Sequence, residues 1–327
     1  MDEIKNKCIS AIIGLVVGDA LGVPVEFSDR EDRKADPVKE MRAGGRHRQP
    51  VGTWSDDSSM VLATMDWYIS GDGEKLYYTS LMQRFWNWLN KGEFTATGIT
   101  FDKGGTVLDA LENFEAGALP LNCGPKGEGA NGNGSLMRIL PAALVNAKEL
   151  YPEIWNPEPI YDMSALTHGH GRSKLGCLIY SVIVAELMYA KDKDKNKCIK
   201  QSIEKVCYYL NYQCEDRNIS KEWSQYDRLS NIDEFMKLDD SEIESSGYVV
   251  NTLEAAIWCF LTTDSYKECV LKAVNLGSDT DTVGAVAGGL AGLYYGMDDI
   301  PAEWLAVIAK KDWILEVSEE FCNKCIN

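Results

Sequence analysis

The chain has 327 residues, 45% of them hydrophobic, which is enough apolar surface for one large core or two ordinary ones. With 50 acidic residues against 33 basic ones the formal charge is −17, which disfavours a broad surface for nucleic-acid phosphates or anionic lipid. An anionic ligand would have to be held locally, by a metal, by backbone amides or by single arginines.

Ile4, Cys8 and Ile12 recur at four-residue spacing and predict a first helix. The apolar run there is short and soon meets Asp19, which predicts neither signal peptide nor membrane span and places the protein in the cytoplasm. Gly14, Gly18 and Gly22 give this helix a face without side chains. Further helices are expected around 58–70, 78–90, 106–116, 173–190 and 198–212, separated by Gly, Pro and Asp clusters. Lys191 to Lys197 reads as a charged, solvated turn. From Tyr212 to Ser246 ten acidic and four basic residues interrupt the helical pattern, and a polar surface insertion is expected there.

Helical periodicity resumes around 248–261 and 265–275. Gly284, Gly288, Gly292 and Gly296 then repeat the bare face seen near the N-terminus. Both bare faces adjoin acidic residues, Asp19 and Glu26 at one and Asp281 at the other, so the two segments should pack together and unite the chain ends. One more helix is expected after Pro301, lined by Leu305, Ile308 and Leu315. Cys322 and Cys325 read as a helix end, and the ten scattered cysteines as reduced, buried thiols. Strand signals are few, so the expected fold is all-α: a single multi-helix domain over 1–327 with the insertion at about 212–246.

Two clusters of hard oxygen donors lie at opposite ends of the chain: Ser55, Asp56 and Asp57 in Gly-Thr-Trp-Ser-Asp-Asp-Ser, and Asp279, Asp281 and Thr282 in Gly-Ser-Asp-Thr-Asp-Thr. Carboxylates crowded this way repel one another unless neutralised, and oxygen donors without adjacent His or Cys favour Mg²⁺, Mn²⁺ or Ca²⁺ over Zn²⁺. Each cluster also reads as a helix N-cap. Between them, Gly124 to Arg138 carries five glycines before an apolar helix, a plausible cradle for a diphosphate.

Four motifs in order resemble the ADP-ribosylglycohydrolase family: Gly14 to Glu26, Trp54 to Ser58, Gly132 to Arg138 and Gly277 to Thr282. The resemblance implies a central cleft with two divalent cations, Mg²⁺ or Mn²⁺, held by Ser55, Asp56, Asp57, Asp279, Asp281 and Thr282. At position 55 the family usually has Thr. Glu26 matches a Glu beside the metals that would orient or deprotonate the attacking water; without the motif it reads as a solvated loop carboxylate. Asp102 is similar to an Asp in arginine-directed members, where it would pair with a guanidinium, and it reads equally as an N-cap for the helix near Thr106.

The same resemblance assigns ADP-ribose to Gly129, Asn131, Gly132, Asn133, Gly134, Ser135, Met137 and Arg138, with His168 beside the adenosine half. It implies hydrolysis of the bond between ADP-ribose and a modified protein side chain, arginine first, with ADP-ribose as product. Serine, O-acetyl-ADP-ribose or a nucleobase as acceptor stays open, as does a binding or immunity protein partnered with an ADP-ribosyltransferase.

Overall fold

The computed structural model describes residues 2–73, 77–191 and 194–326. Eleven helices of eight residues or more are found among them: α1 (Asp2–Gly22), α2 (Asp56–Ile69), α3 (Tyr78–Lys91), α4 (Gly105–Glu115), α5 (Glu158–Ala165), α6 (Gly171–Tyr189), α7 (Lys195–Tyr212), α8 (Val249–Leu261), α9 (Tyr266–Val274), α10 (Thr280–Tyr295) and α11 (Lys311–Cys325). Among the described residues, extended pairing is limited to two isolated bridges, Gly44 with Gln49 and Gly132 with Tyr248. The fold is all-α.

The central pair is α1 against α10, and glycine makes it possible. An ideal Cβ on Gly18 would lie 2.1 Å from the Gly284 carbonyl oxygen, one on Gly288 would lie 2.3 Å from that of Gly14, and one on Gly292 would lie 2.2 Å from that of Ser10. Residue numbers rise along one helix as they fall along the other, so the two run antiparallel with backbones in contact. This register sets the C-terminal end of α1 beside the start of α10. Gly22 meets the Asp281 backbone, and the Thr280 hydroxyl donates to the Gly22 carbonyl at 2.8 Å. Beyond the helices the pairing continues through backbone bonds from Phe27 to Ser278 (2.7 Å) and from Ser278 to Ser28 (2.8 Å). The first and last thirds of the chain are thereby fixed on one another, as the two bare faces predicted, except that Gly296 lies past the end of α10 at φ 85° with open space beside it.

α1 is longer and more apolar than its sequence suggested: Glu3–Val25 has a mean hydropathy of 2.0 over its most apolar stretch, enough by length and composition to span a bilayer, yet 94% of that stretch is buried inside the protein. Its partner is α10. The helix expected after Pro301 is broken in two. Ala302–Leu305 is a single turn, and α11 begins only after Lys310, which sits at φ 54°. The reason is local: the Ala309 amide donates to the Gly52 carbonyl at 2.9 Å and its carbonyl accepts from Trp54 Nε1 at 3.0 Å, pinning the break against the segment that leads into α2.

α11 ends at Cys325, and all ten cysteines are free thiols, seven of them buried. Of the charged turn, Asp192 and Lys193 lie outside the described residues, while Lys195 to Lys197 open α7. The polar stretch 212–246 exposes most of its carboxylates, buried Glu222 excepted, and is anchored by buried Ile219, Tyr226, Leu229, Ile232, Phe235 and Ile243.

Candidate active site

The floor of the cleft forms where α1, α2 and α10 meet. Asp19, on α1 and wholly buried, accepts from the Ser55 amide (2.9 Å), the Ser58 amide (3.0 Å) and the Ser58 hydroxyl (2.5 Å), and so caps α2 from outside. Burial outweighs these bonds and pushes the Asp19 carboxyl up to about 6. Ser55 is also a cap, accepting from the Asp57 amide at 3.3 Å. The capping reading therefore holds for Ser55. It fails for Asp279, which stands at the N-cap position of α10 but whose side chain makes no cap bond to that helix.

Side-chain oxygens of Asp19, Asp57 and Asp281 lie within 4.8 Å of one another, and those of Glu26, Asp279 and Asp281 do the same. Asp281 belongs to both groups. Asp56, Asp57 and Asp281 are buried, and their carboxyls are held well above the usual range, first by burial and then by neighbouring carboxylates. The Thr282 hydroxyl donates to Asp57 Oδ1 at 3.4 Å. Oδ2 of Asp57 and Oδ2 of Asp281 are buried with no hydrogen-bond partner. Orphaned anionic oxygens cost several kcal/mol, roughly, unless a cation meets them. With hydroxyls of Ser55 and Thr282 close by, this donor set fits a hard divalent cation.

Glu26 is buried at the mouth of this floor, and the solvated-loop reading does not hold. Its carboxyl is pushed up to about 10 by burial first, then by Asp102 and Asp279. Asp102, at φ 46°, is not the cap of α4, a position taken by Gly104; burial raises its carboxyl as well. Phe27 (φ 60°) and Ser278 (φ 62°) flank the floor in the same left-handed region, where non-glycine residues cost of order 1 kcal/mol each, about the level at which strain is retained at functional sites.

One residue that the sequence reading did not single out joins them. His47 Nε2 lies 2.6 Å from Glu26 Oε2, and its ring sits 5.2 Å from that of Phe101. It is delivered by the turn between Gly44 and Gln49, which packs tightly because Gly45, at φ 70°, leaves no room for a Cβ against the Pro24 carbonyl. Three histidines in the chain made His47 visible; nothing in its spacing marked its partner.

The facing wall encloses a cavity of about 300 Å³. Gly132, Asn133, Gly134, Met137 and His168 line it opposite Glu26, Asp56, Asp102, Asp279 and Thr282. A Cβ on Gly134 would lie 2.9 Å from His168 Cε1, so glycine there lets the loop close over the ring. Burial, then the nearby Arg138, lowers the His168 imidazole to about 3, and it is neutral. Asn133 ties wall to floor: its Nδ2 donates to Asp279 Oδ2 and to Thr252 Oγ1, both at 2.9 Å.

The other loop residues of the expected set stand behind the wall. Asn131 accepts from the Ser173 hydroxyl at 3.1 Å, Ser135 contacts Ser164 at 3.0 Å, and Gly129 lies in a short turn at Glu128–Ala130. Arg138 is fully buried over the Phe85 ring (4.9 Å) and donates to the Met163 carbonyl and the Thr167 hydroxyl, both at 2.8 Å, which fixes the residue before His168.

Residues 1–327 match the family model described as ADP-ribosylglycohydrolase. The chain belongs to the ADP-ribosylglycohydrolase family. Among curated proteins this ADP-ribosylglycohydrolase is 29% identical over 324 residues to the ADP-ribosylarginine hydrolase Tri1 of Pseudomonas putida (strain GB-1), covering 99% of this chain and 80% of that protein. It is 29% identical over 311 residues to the ADP-ribosyl-[dinitrogen reductase] glycohydrolase of Rhodospirillum rubrum, covering 94% and 92%. A solved structure titled ADP-ribosylglycohydrolase-related protein complex superposes with a TM-score of 0.79 at 26% identity, covering 99% of this chain and 100% of that one.

Proposed function

We propose that this ADP-ribosylglycohydrolase hydrolyses the N-glycosidic bond between ADP-ribose and an arginine side chain of a protein, with two divalent cations, Mg²⁺ or Mn²⁺, in its acidic floor. The observation that carries the reading is the pair of partnerless buried oxygens, on Asp57 and Asp281, under a cleft whose other wall is neutral and glycine-rich.

Ser55, Asp56, Asp57, Asp279, Asp281 and Thr282 would hold the cations. Bound there, divalent ions supply the positive charge the floor lacks and polarise hydroxyls of the ribose. With cations bound the Glu26 carboxyl would ionise, and the carboxylate, held at Oε2 by His47, would accept a proton from the water that attacks the anomeric carbon. Asp102 would pair with the substrate's guanidinium through charge-assisted hydrogen bonds; as the carbon–nitrogen bond breaks, the electron pair leaves with nitrogen, and the neutral guanidine takes up the proton removed from water, giving arginine. Gly132 to Gly134 keep the wall thin enough for a diphosphate to approach backbone, and neutral His168 adds an uncharged ring. Two relatives from different bacteria that bear the arginine-hydrolase name, at 29% and 30% identity, support the choice of acceptor. The free thiols and the buried α1 support a cytoplasmic place of work.

The test is incubation with ADP-ribosyl-arginine, ADP-ribosyl-serine and O-acetyl-ADP-ribose in parallel, with and without Mg²⁺. Release of ADP-ribose from the arginine conjugate, fastest of the three and dependent on the cation, is expected. Preference for the serine conjugate would move the acceptor and keep the hydrolase; turnover unchanged by chelation would remove the cations.

A further inference from the structure

Away from the cleft, the loop around residues 152–158 and the C-terminal end of α7 enclose two adjoining cavities of about 460 Å³ each, joined through Ile154, Tyr209 and Gln213. Two exposed aromatics line them, Trp155 (70%) at one cavity and Tyr208 (58%) at the other, and exposed Tyr212 (76%) stands beside Tyr208 without lining either. The two tyrosines sit one turn apart on α7 with ring centroids 5.0 Å apart, presenting a paired aromatic face. Single exposed apolar residues are ordinary, but two rings lining one groove with a third packed beside them form a surface that gains from being covered.

The rim carries one sign of charge. Glu153, Glu158, Glu204 and Glu215 line the groove, all are exposed, and none has an ion pair among the described residues. Among the described residues Lys205 is the one cation lining it, and its ammonium is already bonded to buried Glu186 and placed over the Tyr151 ring. Exposed rings flanked by unpaired carboxylates match a planar cation: guanidinium stacks on an aromatic face while its edge N–H groups reach carboxylate oxygens. The acidic rim repels lipid headgroup and nucleic-acid phosphates alike.

Position relates this groove to the cleft. Glu158 and Tyr161 of α5 line the groove, whereas just beyond its C-terminal end the chain reaches Thr167 and His168 in the cleft wall. Eight residues of α5 span about 12 Å, a distance an extended peptide covers in about four residues.

We infer that the groove between residues 152–158 and the end of α7 is a docking site for an arginine-rich segment of the protein substrate, several residues from the modified side chain. That the segment belongs to an ADP-ribosylated protein rests on the hydrolase reading; that the groove takes an arginine-rich peptide does not.

The experiment uses the full chain and a fluorescein-labelled, unmodified arginine-rich peptide, compared by anisotropy with the same peptide carrying neutral citrulline at each arginine. Wild type should bind the arginine peptide about tenfold more tightly, as expected for two or three guanidinium–ring contacts. The triple variant Trp155→Ser/Tyr208→Ser/Tyr212→Ser changes no charge and should lose that preference, with its helical circular dichroism intact. Glu316→Gln/Glu319→Gln on α11, which removes charge elsewhere, should keep it. Equal binding of the two peptides by wild type, or undiminished preference in the triple variant, overturns the inference, as does an equal loss in the α11 variant, which would mean diffuse charge. With ADP-ribosylated peptides, the triple variant should raise KM for the arginine-rich peptide several-fold and leave free ADP-ribosyl-arginine unchanged. Ring-dependent peptide binding by a chain that cleaves neither substrate would sink the hydrolase reading and keep the groove.

Discussion

The floor of the cleft is made of side chains that α1, α2 and α10 carry into the interior, while the facing wall is made of backbone and a neutral imidazole. On the floor, carboxylates outnumber any cation the chain supplies, and two of their oxygens have no partner. On the wall, Arg138 is turned away and spent on holding the turn before His168. The difference teaches a division of labour. The floor is unfinished without added positive charge, and the wall is finished by shape. Asn133 bonds across the two, at Asp279.

Substitutions on one side should therefore leave the signature of the other intact. The largest effect is expected from Glu26→Gln, which keeps shape and removes the charged oxygen: turnover should fall by roughly 10²- to 10⁴-fold while ADP-ribose still binds by calorimetry. Loss of binding in step with turnover would make Glu26 part of the floor's architecture instead. Asp102→Ala comes next. Removing a charged partner of the leaving group costs about 1.5 to 3 kcal/mol, or roughly tenfold to a hundredfold in cleavage of ADP-ribosyl-arginine, with little change for ADP-ribosyl-serine. Equal losses on both substrates would end the guanidinium assignment.

The smallest of the three lies on the wall. In Gly134→Ala the new Cβ must displace His168 or Val107, which it meets at 2.9 and 3.1 Å. KM should rise about fivefold to tenfold, the worth of about one hydrogen bond, with the response to cations unchanged. A variant that lost cation dependence as well would show that wall and floor are not separable.

Much of the floor was readable beforehand because its residues stand in short motifs at helix starts, and the two glycine faces announced which helices would meet. The helix boundaries around α2, α3, α4, α6 and α8 followed from periodicity in the same way. What escaped was set by contacts remote in sequence. His47 reaches Glu26 only because Gly45 packs on Pro24; Asp19 acts on α2 through backbone amides 36 and 39 residues away; and the break before α11 is imposed by Gly52 and Trp54. The glycine loop was located but not its facing. Between Gly132 and Arg138 the chain turns so that Met137 meets the cavity while Ser135 and Arg138 point inward, a choice that composition does not encode.

The central claim, that the floor is a hard-cation site, is tested most directly by the pH dependence of thermal stability with and without Mn²⁺, in wild type and Asp281→Asn. Glu26 is raised from the ordinary 4.5 to about 10, and Asp56, Asp57 and Asp281 are raised too, so without cations the folded chain binds these protons more tightly than the unfolded chain. Their contribution is complete below about 4.5 and is lost as pH rises toward about 10, so the chelated protein should grow less stable over that window. Mn²⁺ needs the ionised carboxylates, so its stabilisation should grow as pH rises, reaching about 2.7 kcal/mol at a hundredfold excess over the dissociation constant. Asp281→Asn should lose most of this gain. A wild-type melting temperature that ignores both chelator and Mn²⁺ as pH rises from 4.5 toward about 10 would contradict the account.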